Sequence, residues 1–275
     1  MQPKSIILFF YGYILFFRRQ KITLFLLFLN LVFGQDKILN NWFKEYNTSG
    51  TFVFYDGKTW ASNDFSRAME TFSPASTFKI FNALIALDSG VIKTKKEIFY
   101  HYRGEKVFLS SWAQDMNLSS AIKYSNVLAF KEVARRIGIK TMQEYLNKLH
   151  YGNAKISKID TFWLDNSLKI SAKEQAILLF RLSQNSLPFS QEAMNSVKEM
   201  ICLKNMENLE LFGKTGFNDE QKIAWIVGFV YLKDENKYKA FALNLDIDKF
   251  EDLYKREKIL EKYLDELVKK VKNDG

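Results

Sequence analysis

A serine and a lysine three positions apart, Ser76 and Lys79, open an apolar run that ends at Ser89-Gly90. If the run is helical, both side chains leave one face and can touch. A serine hydroxyl is a weak nucleophile until a neighbour takes its proton. A lysine amine can take it when burial or nearby charge keeps the nitrogen neutral, or when the nitrogen is chemically converted to another base. The tetrapeptide Ser76-Thr77-Phe78-Lys79 is therefore a covalent-catalysis site or an ordinary serine-led helix start, and alone it does not separate the two. Composition closes other hydrolytic routes. A Ser-His-Asp triad needs a histidine, and the chain has two, His101 and His150, the latter reading as a surface residue. Two isolated histidines and one cysteine do not make a metal centre, and no glycine-rich phosphate loop appears, so neither metal nor organic cofactor is expected.

The elements that must hold these residues follow from pattern. Gly50–Tyr55 and Thr59–Ser62 flank Asp56-Gly57 as a hairpin. Ser76–Ser89 reads as a helix stopped by Gly90. Amphipathic helices are expected over Ser120–Ile137, Met142–Leu149, Ala172–Ser183 and Gln191–Met200, with a sharp break at Tyr151-Gly152-Asn153. Leu209–Phe212 is a short strand candidate that Lys214-Thr215-Gly216 ends. Ile223–Leu232 suits a strand buried on both faces, Tyr238–Leu245 returns beside it, and Lys249–Val271 closes as a helix. The expected fold class is α+β. Strands from 50–63 and 209–246 form an antiparallel sheet with flanking helices, 90–203 forms a mostly helical subdomain, and the site lies in the cleft between.

The 275 residues are 47% hydrophobic and 26% charged, a globular composition, and 35–275 reads as a single domain. Residues 1–34 differ. Ile6–Phe17 is apolar, Arg18, Arg19 and Lys21 follow, and a second apolar run, Ile22–Phe33, precedes Gly34. That second run has the shape of a secretory signal cleaved near Gly34 and is shorter than the about 20 residues of a membrane span. The first run reads as an upstream extension. An anchor built from both runs is opposed by the charges between them, so no stable membrane attachment is expected after processing, and the mature chain is placed in the periplasm. Losing these residues lowers the net charge from +9 to +5, with acids interleaved, which speaks against a nucleic-acid surface. Cys202, within Met200-Ile201-Cys202-Leu203, reads as a buried inert thiol and excludes an intrachain disulfide.

Three further motifs follow the first in order: Ser125-Asn126-Val127, Tyr151-Gly152-Asn153 and Lys214-Thr215-Gly216. Each alone is an ordinary cap, loop or strand end. Together with Phe162-Trp163-Leu164, Phe217, Trp225-Ile226-Val227-Gly228 and Asn244–Asp248, they make the chain resemble the class D, oxacillinase-type serine β-lactamases from about Ile38 to the last helix. The resemblance implies a β-lactamase/penicillin-binding transpeptidase-like fold and hydrolysis of penicillin-type antibiotics through an acyl-enzyme, giving resistance. A β-lactam sensor domain and a penicillin-binding transpeptidase share the acylated serine and are the alternatives.

The resemblance also assigns roles. Ser76 would be acylated, and Lys79, N-carboxylated by carbon dioxide, would be the general base. Trp163 and Val127 would support the carbamate, with Phe78 and Leu164 as further walls. Ser125 would pass a proton to the leaving nitrogen, supported by Lys214. The oxyanion hole would be the backbone N–H groups of Ser76 and Phe217. Thr215, Gly216 and Arg256 would meet the substrate, Arg256 gripping its carboxylate, with Lys255 and Lys258 as competitors for that task. Tyr151 and Asn153 would shape the cleft.

Overall fold

A computed structural model describes residues 37–274, so the expected signal segment lies outside the described residues. Helix α1 (37–45) leads into β1 (Gly50–Tyr55) and β2 (Trp60–Ser62), then α2 (Phe65–Met69) and β3 (Thr71–Phe72). A 3-10 turn, Ala75–Phe78, precedes α3 (Lys79–Asp88). The middle of the chain supplies α4 (Leu118–Lys123), α5 (Val127–Ile137), α6 (Ile139–Leu149), β4 (Ile170–Ser171), α7 (Ala172–Ser183) and α8 (Gln191–Met200). Strands β5 (Cys202–Asn205), β6 (Leu209–Asn218), β7 (Ile223–Leu232) and β8 (Lys237–Asp246) precede α9 (Tyr254–Asp274).

One antiparallel sheet runs β2-β1-β8-β7-β6-β5, and β3 pairs with β4 in a second, two-stranded sheet. The large sheet is covered on both faces, which is why β7 reads as an unbroken apolar run. On one face, Phe52, Ile226, Phe241 and Leu243 pack with α1 and with Ile259, Leu260, Tyr263 and Leu264 of α9. Tyr263 packs tilted against Phe54 at 4.0 Å and edges Phe52 at 5.5 Å. Each such buried aromatic contributes about 1.5–3 kcal/mol, enough to dock an otherwise charged helix and fix the side chains of its first turn. On the other face, Trp225, Val227 and Phe229 meet the helical part. There α3 is buried from Lys79 through Ala86, so it is a core helix with a lysine in it.

The antiparallel sheet with flanking helices stands as expected, and five local expectations are corrected. The helix expected over Ser120–Ile137 is two helices, because the Asn126 carboxamide accepts the Ala129 N–H at 3.0 Å and caps α5, while Ser125 turns into the left-handed region at φ +52°. The strand from Leu209 does not stop at Lys214-Thr215-Gly216 but carries it at its centre, paired with Val227, Ile226 and Trp225. The Ser76 helix begins as a 3-10 turn, and α9 begins at Tyr254 after a second such turn, Phe250–Leu253. Cys202 is exposed, not buried: it opens β5, an edge strand exposed along its whole length.

Candidate active site

The site starts from a backbone that its sequence holds in an uncommon shape. Ala75 has φ +47° without being glycine, and the turn after it is locked by Thr77, whose N–H and hydroxyl both donate to Pro74 O, at 3.1 and 2.7 Å. This presents Ser76 half-buried at the head of α3. Lys79 Nζ lies 2.6 Å from Ser76 Oγ and donates to it; once deprotonated, the same contact lets the nitrogen accept the hydroxyl proton. Lys79 is fully buried. Burial, helped by the Lys214 cation, holds its amine well below the ordinary lysine range. Among the described residues no carboxylate forms an ion pair with it, and its nearest aromatic face is the Phe130 ring, 5.7 Å from Nζ.

The walls are aromatic. Phe78 stacks on Trp163 at 5.9 Å and meets Phe162 and Tyr151 edge-on at 5.2 and 5.3 Å. Trp163 Nε1–H is buried with no acceptor, as are Asn82 Oδ1 and Asn126 Nδ2 with no partner. A buried polar group left unpaired costs about 1–3 kcal/mol. The two unpaired donors, Trp163 Nε1–H and Asn126 Nδ2, fit a group that brings oxygen acceptors, and a lysine carbamate is such a group. Tyr151, also fully buried, has its phenol pushed well above the ordinary range by burial, so it stays protonated and serves as wall.

Strand β6 closes on the Ser76 turn. A Cβ on Gly216 would lie 3.0 Å from Pro74 O, 3.1 Å from Thr77 Cγ2 and 3.2 Å from Thr77 N, so the strand presses on the turn through a residue that must lack a side chain. Two residues earlier, Lys214 is buried, and burial together with the Arg256 cation lowers its amine to about 7. Its Nζ donates to Thr215 O at 3.0 Å. Arg256, in the first turn of α9, donates from Nη1 to Gly216 O at 2.9 Å and from Nε to Glu257 at 2.9 Å. The fold thus gathers Ser76, Lys79, Lys214, Thr215, Gly216 and Arg256 around one strand and one turn. Lys255 and Lys258 of the same helix are engaged elsewhere, with Asp252 and Glu261. Ser125 and Val127 sit half-buried at the break before α5, where the Ser125 hydroxyl bonds to none of Ser76, Lys79 and Lys214.

Two groups escaped sequence reasoning. Trp112, Phe108, Phe250 and Phe217 form an aromatic chain with successive centroids 6.3, 6.4 and 5.9 Å apart. Trp112 Nε1–H donates to Tyr124 O, next to Ser125, at 2.9 Å. The chain therefore links the helical side of the site to the strand side, although Phe108 and Phe250 are 74% and 57% exposed. Their signal in sequence was only that of loop aromatics. The second group, Ser73, Asn218 and Gln221, gave none.

Among the described residues no cluster of three or more His, Cys, Asp or Glu could hold a metal. Residues 44–265 match the penicillin binding protein transpeptidase domain family. The chain is 37% identical to β-lactamase OXA-48 of Klebsiella pneumoniae over 84% of its length and 88% of that protein. It is 38% identical to β-lactamase OXA-10 of Pseudomonas aeruginosa over 82% and 88%. The crystal structure of FUS-1 (OXA-85), a class D β-lactamase from Fusobacterium nucleatum subsp. polymorphum, superposes with a TM-score of 0.81 at 45% identity, covering 84% of this chain and 97% of that one. The Ser76 turn pressed by a Lys-Thr-Gly strand, and relatives of this similarity across most of the chain, identify the protein as a member of the class D β-lactamases, serine hydrolases that open the β-lactam amide.

Proposed function

We propose that Ser76 is the residue acylated by the β-lactam and that Lys79, carboxylated on Nζ, is the general base for both halves of the cycle. The observation that carries this reading is the fully buried Lys79 amine, without a carboxylate partner and 2.6 Å from the Ser76 hydroxyl. A neutral amine adds carbon dioxide with loss of a proton to give a carbamate, a stronger hydrogen-bond acceptor, and the unpaired Trp163 Nε1–H would donate to it. In acylation the Ser76 proton passes to Lys79 in this form as Oγ bonds the lactam carbonyl carbon. The carbon–nitrogen bond then breaks and the ring nitrogen takes a proton through Ser125. In deacylation a water proton takes the same route, the hydroxide adds to the ester, and Ser76 leaves with its proton restored. The N–H groups of Ser76 and Phe217 hold the oxyanion, where one donor is worth roughly a hundred- to a thousandfold in rate. Lys214, Thr215 and Arg256 meet the substrate carboxylate, and Val127 and Leu164 keep bulk water from the carbamate.

Residues 35–275 act as one catalytic domain, and Ile22–Phe33 directs export to the periplasm with processing near Gly34; no persistent membrane attachment, nucleic acid or metal enters the reading. Mass spectrometry of the protein mixed with a penicillin tests the chemistry. The expected result is a transient adduct on the Ser76 peptide that Ser76→Ala abolishes with the fold intact; turnover retained by that variant refutes the nucleophile. After acid treatment, bicarbonate should restore lost rate, and a rate indifferent to bicarbonate refutes the carbamate.

A further inference from the structure

The turn between β6 and β7 reaches the catalytic core through two side-chain amides. Asn218, 4% exposed, donates from Nδ2 to Leu164 O at 3.1 Å and to Asn166 Oδ1 at 3.0 Å, and its Oδ1 accepts the Gln221 N–H at 2.7 Å. Both amide hydrogens and the carbonyl are used, so this is a satisfied buried amide whose geometry is fixed. Gln221 turns the other way and accepts the Ser73 N–H on Oε1 at 2.8 Å. Ser73 stands three residues before Ser76; its hydroxyl donates to Trp163 O at 2.8 Å, and its carbonyl accepts Trp225 Nε1–H at 2.9 Å. The β6–β7 turn, the approach to the nucleophile and the Trp163–Asn166 segment are thereby tied in a closed triangle.

The triangle matters because of what the segment carries. Between α6 and β4 the chain from 150 to 169 has turns but no helix or strand. Its other side-chain bonds are largely internal: Asp165 gathers Ser157, Thr161 and Ser167, and Asn153 holds Ser167 O and Lys169 N. Asn218 and Ser73 are the side chains that tie Trp163 and Leu164 to the sheet and to the nucleophile segment. Trp163 in turn stacks on Phe78, the neighbour of Lys79.

We infer that Asn218 and Gln221 are positioning residues for the Lys79 base: they clamp the Trp163–Leu164 wall and so set how tightly Lys79 retains its carboxyl group. The inference rests on the carboxylated-lysine reading above. Carboxylation is reversible. Protonation of the carbamate nitrogen breaks the carbon–nitrogen bond, releases carbon dioxide and leaves the amine. A wall that swings away admits the water that delivers that proton and withdraws the Trp163 donor, and both changes favour loss. Neither amide touches the reacting atoms, so the fault should be reversible by mass action.

The test uses the full-length protein as produced, its Asn218→Ala and Asn218→Asp variants, and Gln221→Ala as an independent break of the same triangle. Asn218→Asp keeps the acceptor for Gln221 N–H and loses the two donors, so it isolates the tie to Leu164 and Asn166. With ¹³C-bicarbonate, NMR reads the Lys79 carbamate directly while penicillin turnover is followed against bicarbonate concentration. The expected result is a bicarbonate requirement raised about threefold to tenfold, the range set by one or two lost hydrogen bonds. The carbamate signal should weaken in parallel, and saturating bicarbonate should return kcat to within twofold of the parent. A variant whose bicarbonate requirement equals the parent's overturns the inference. So does a rate that stays low at saturating bicarbonate, which marks a structural role. Absence of the carbamate signal in the parent itself instead removes the base reading, and this inference with it.

Discussion

Gly216→Ala measures how closely the strand must approach the nucleophile. The added Cβ would sit 3.0 Å from Pro74 O, 3.1 Å from Thr77 Cγ2 and 3.2 Å from Thr77 N. Carbon–carbon contact is comfortable at about 3.5 Å or more, so the strand and the turn must separate by about 0.4 Å. The turn cannot yield cheaply, since two of the three atoms are backbone and Thr77 donates twice to Pro74 O. The strand moves instead, taking with it the Phe217 N–H and the carbonyl that Arg256 holds. If a misplacement of about 1 Å costs a hundredfold, one of about 0.4 Å costs several-fold to tenfold in the acylation rate. Overpacking also lowers stability by about 1–3 kcal/mol. Gly213→Ala separates the two effects: its Cβ would press on Val227 O at 2.8 Å and on the Leu203 side chain at 3.3 Å, away from Ser76. Stopped-flow acylation by a chromogenic cephalosporin, alongside urea unfolding, should show both variants destabilised and Gly216→Ala the slower to acylate. An unchanged acylation rate in Gly216→Ala would refute the claim that this contact sets the alignment of the site.

Two further predictions concern charge and access. Lys79 and Lys214 have folded amines depressed by burial, so between about pH 7 and the ordinary lysine range the unfolded chain holds protons that the folded chain lacks, and stability rises with pH. In carbon dioxide-free buffer, Lys79→Met should therefore be more stable than the parent at pH 7, with the gap closing toward pH 10; a gap independent of pH in urea unfolding contradicts a neutral, buried Lys79. Breaking the aromatic chain with Phe250→Ala should change KM by about twofold to tenfold for penicillins with bulky side chains and little for compact ones, the scale of one aromatic pair. Equal effects across a side-chain series would deny the chain any role in access.

Where local signals and tertiary packing agree, the sequence was readable. Ser171 and Ser190 cap α7 and α8, and both helices run over the expected residues because the cap and the amphipathic face mark the same boundary. Strand β7 was legible because burial on both faces leaves one continuous apolar run. The failures are places where the two levels disagree. Periodicity ran straight through Ser125, and the competing instruction came from a single Asn126 side chain. Lys214-Thr215-Gly216 read as the end of a strand, yet the strand runs through it and needs Gly213 and Gly216, since other backbone crowds both positions. Cys202 inherited the apolar look of its neighbours but lies on an edge strand exposed throughout, where no alternation exists to read. The contact between Ser76 and Lys79 was visible because the two sit three residues apart. The amides of Asn218 and Gln221 were not, because the carbonyl and N–H groups they reach lie 54 and 148 residues away in the chain.

The site also concentrates costs that the rest of the fold must offset. Ala75 and Ser125 both adopt left-handed backbone without being glycine, at about 1–3 kcal/mol each. Lys79 and Lys214 are buried with their amines depressed, and the Arg256 charge is felt at Lys214. None of these features stabilises the free protein. They persist because α3 is buried in the core and α9 is docked by Tyr263 and its aromatic neighbours, so the turn and the strand have nowhere to relax. An anion entering beside Arg256 would favour the protonated form of Lys214 and offset part of that cost. A β-lactam brings a carboxylate fixed at a set distance from its reactive carbonyl. On the proposed roles, that offset would be largest in the pose that brings the carboxylate to Arg256 and Lys214 and the carbonyl to Ser76.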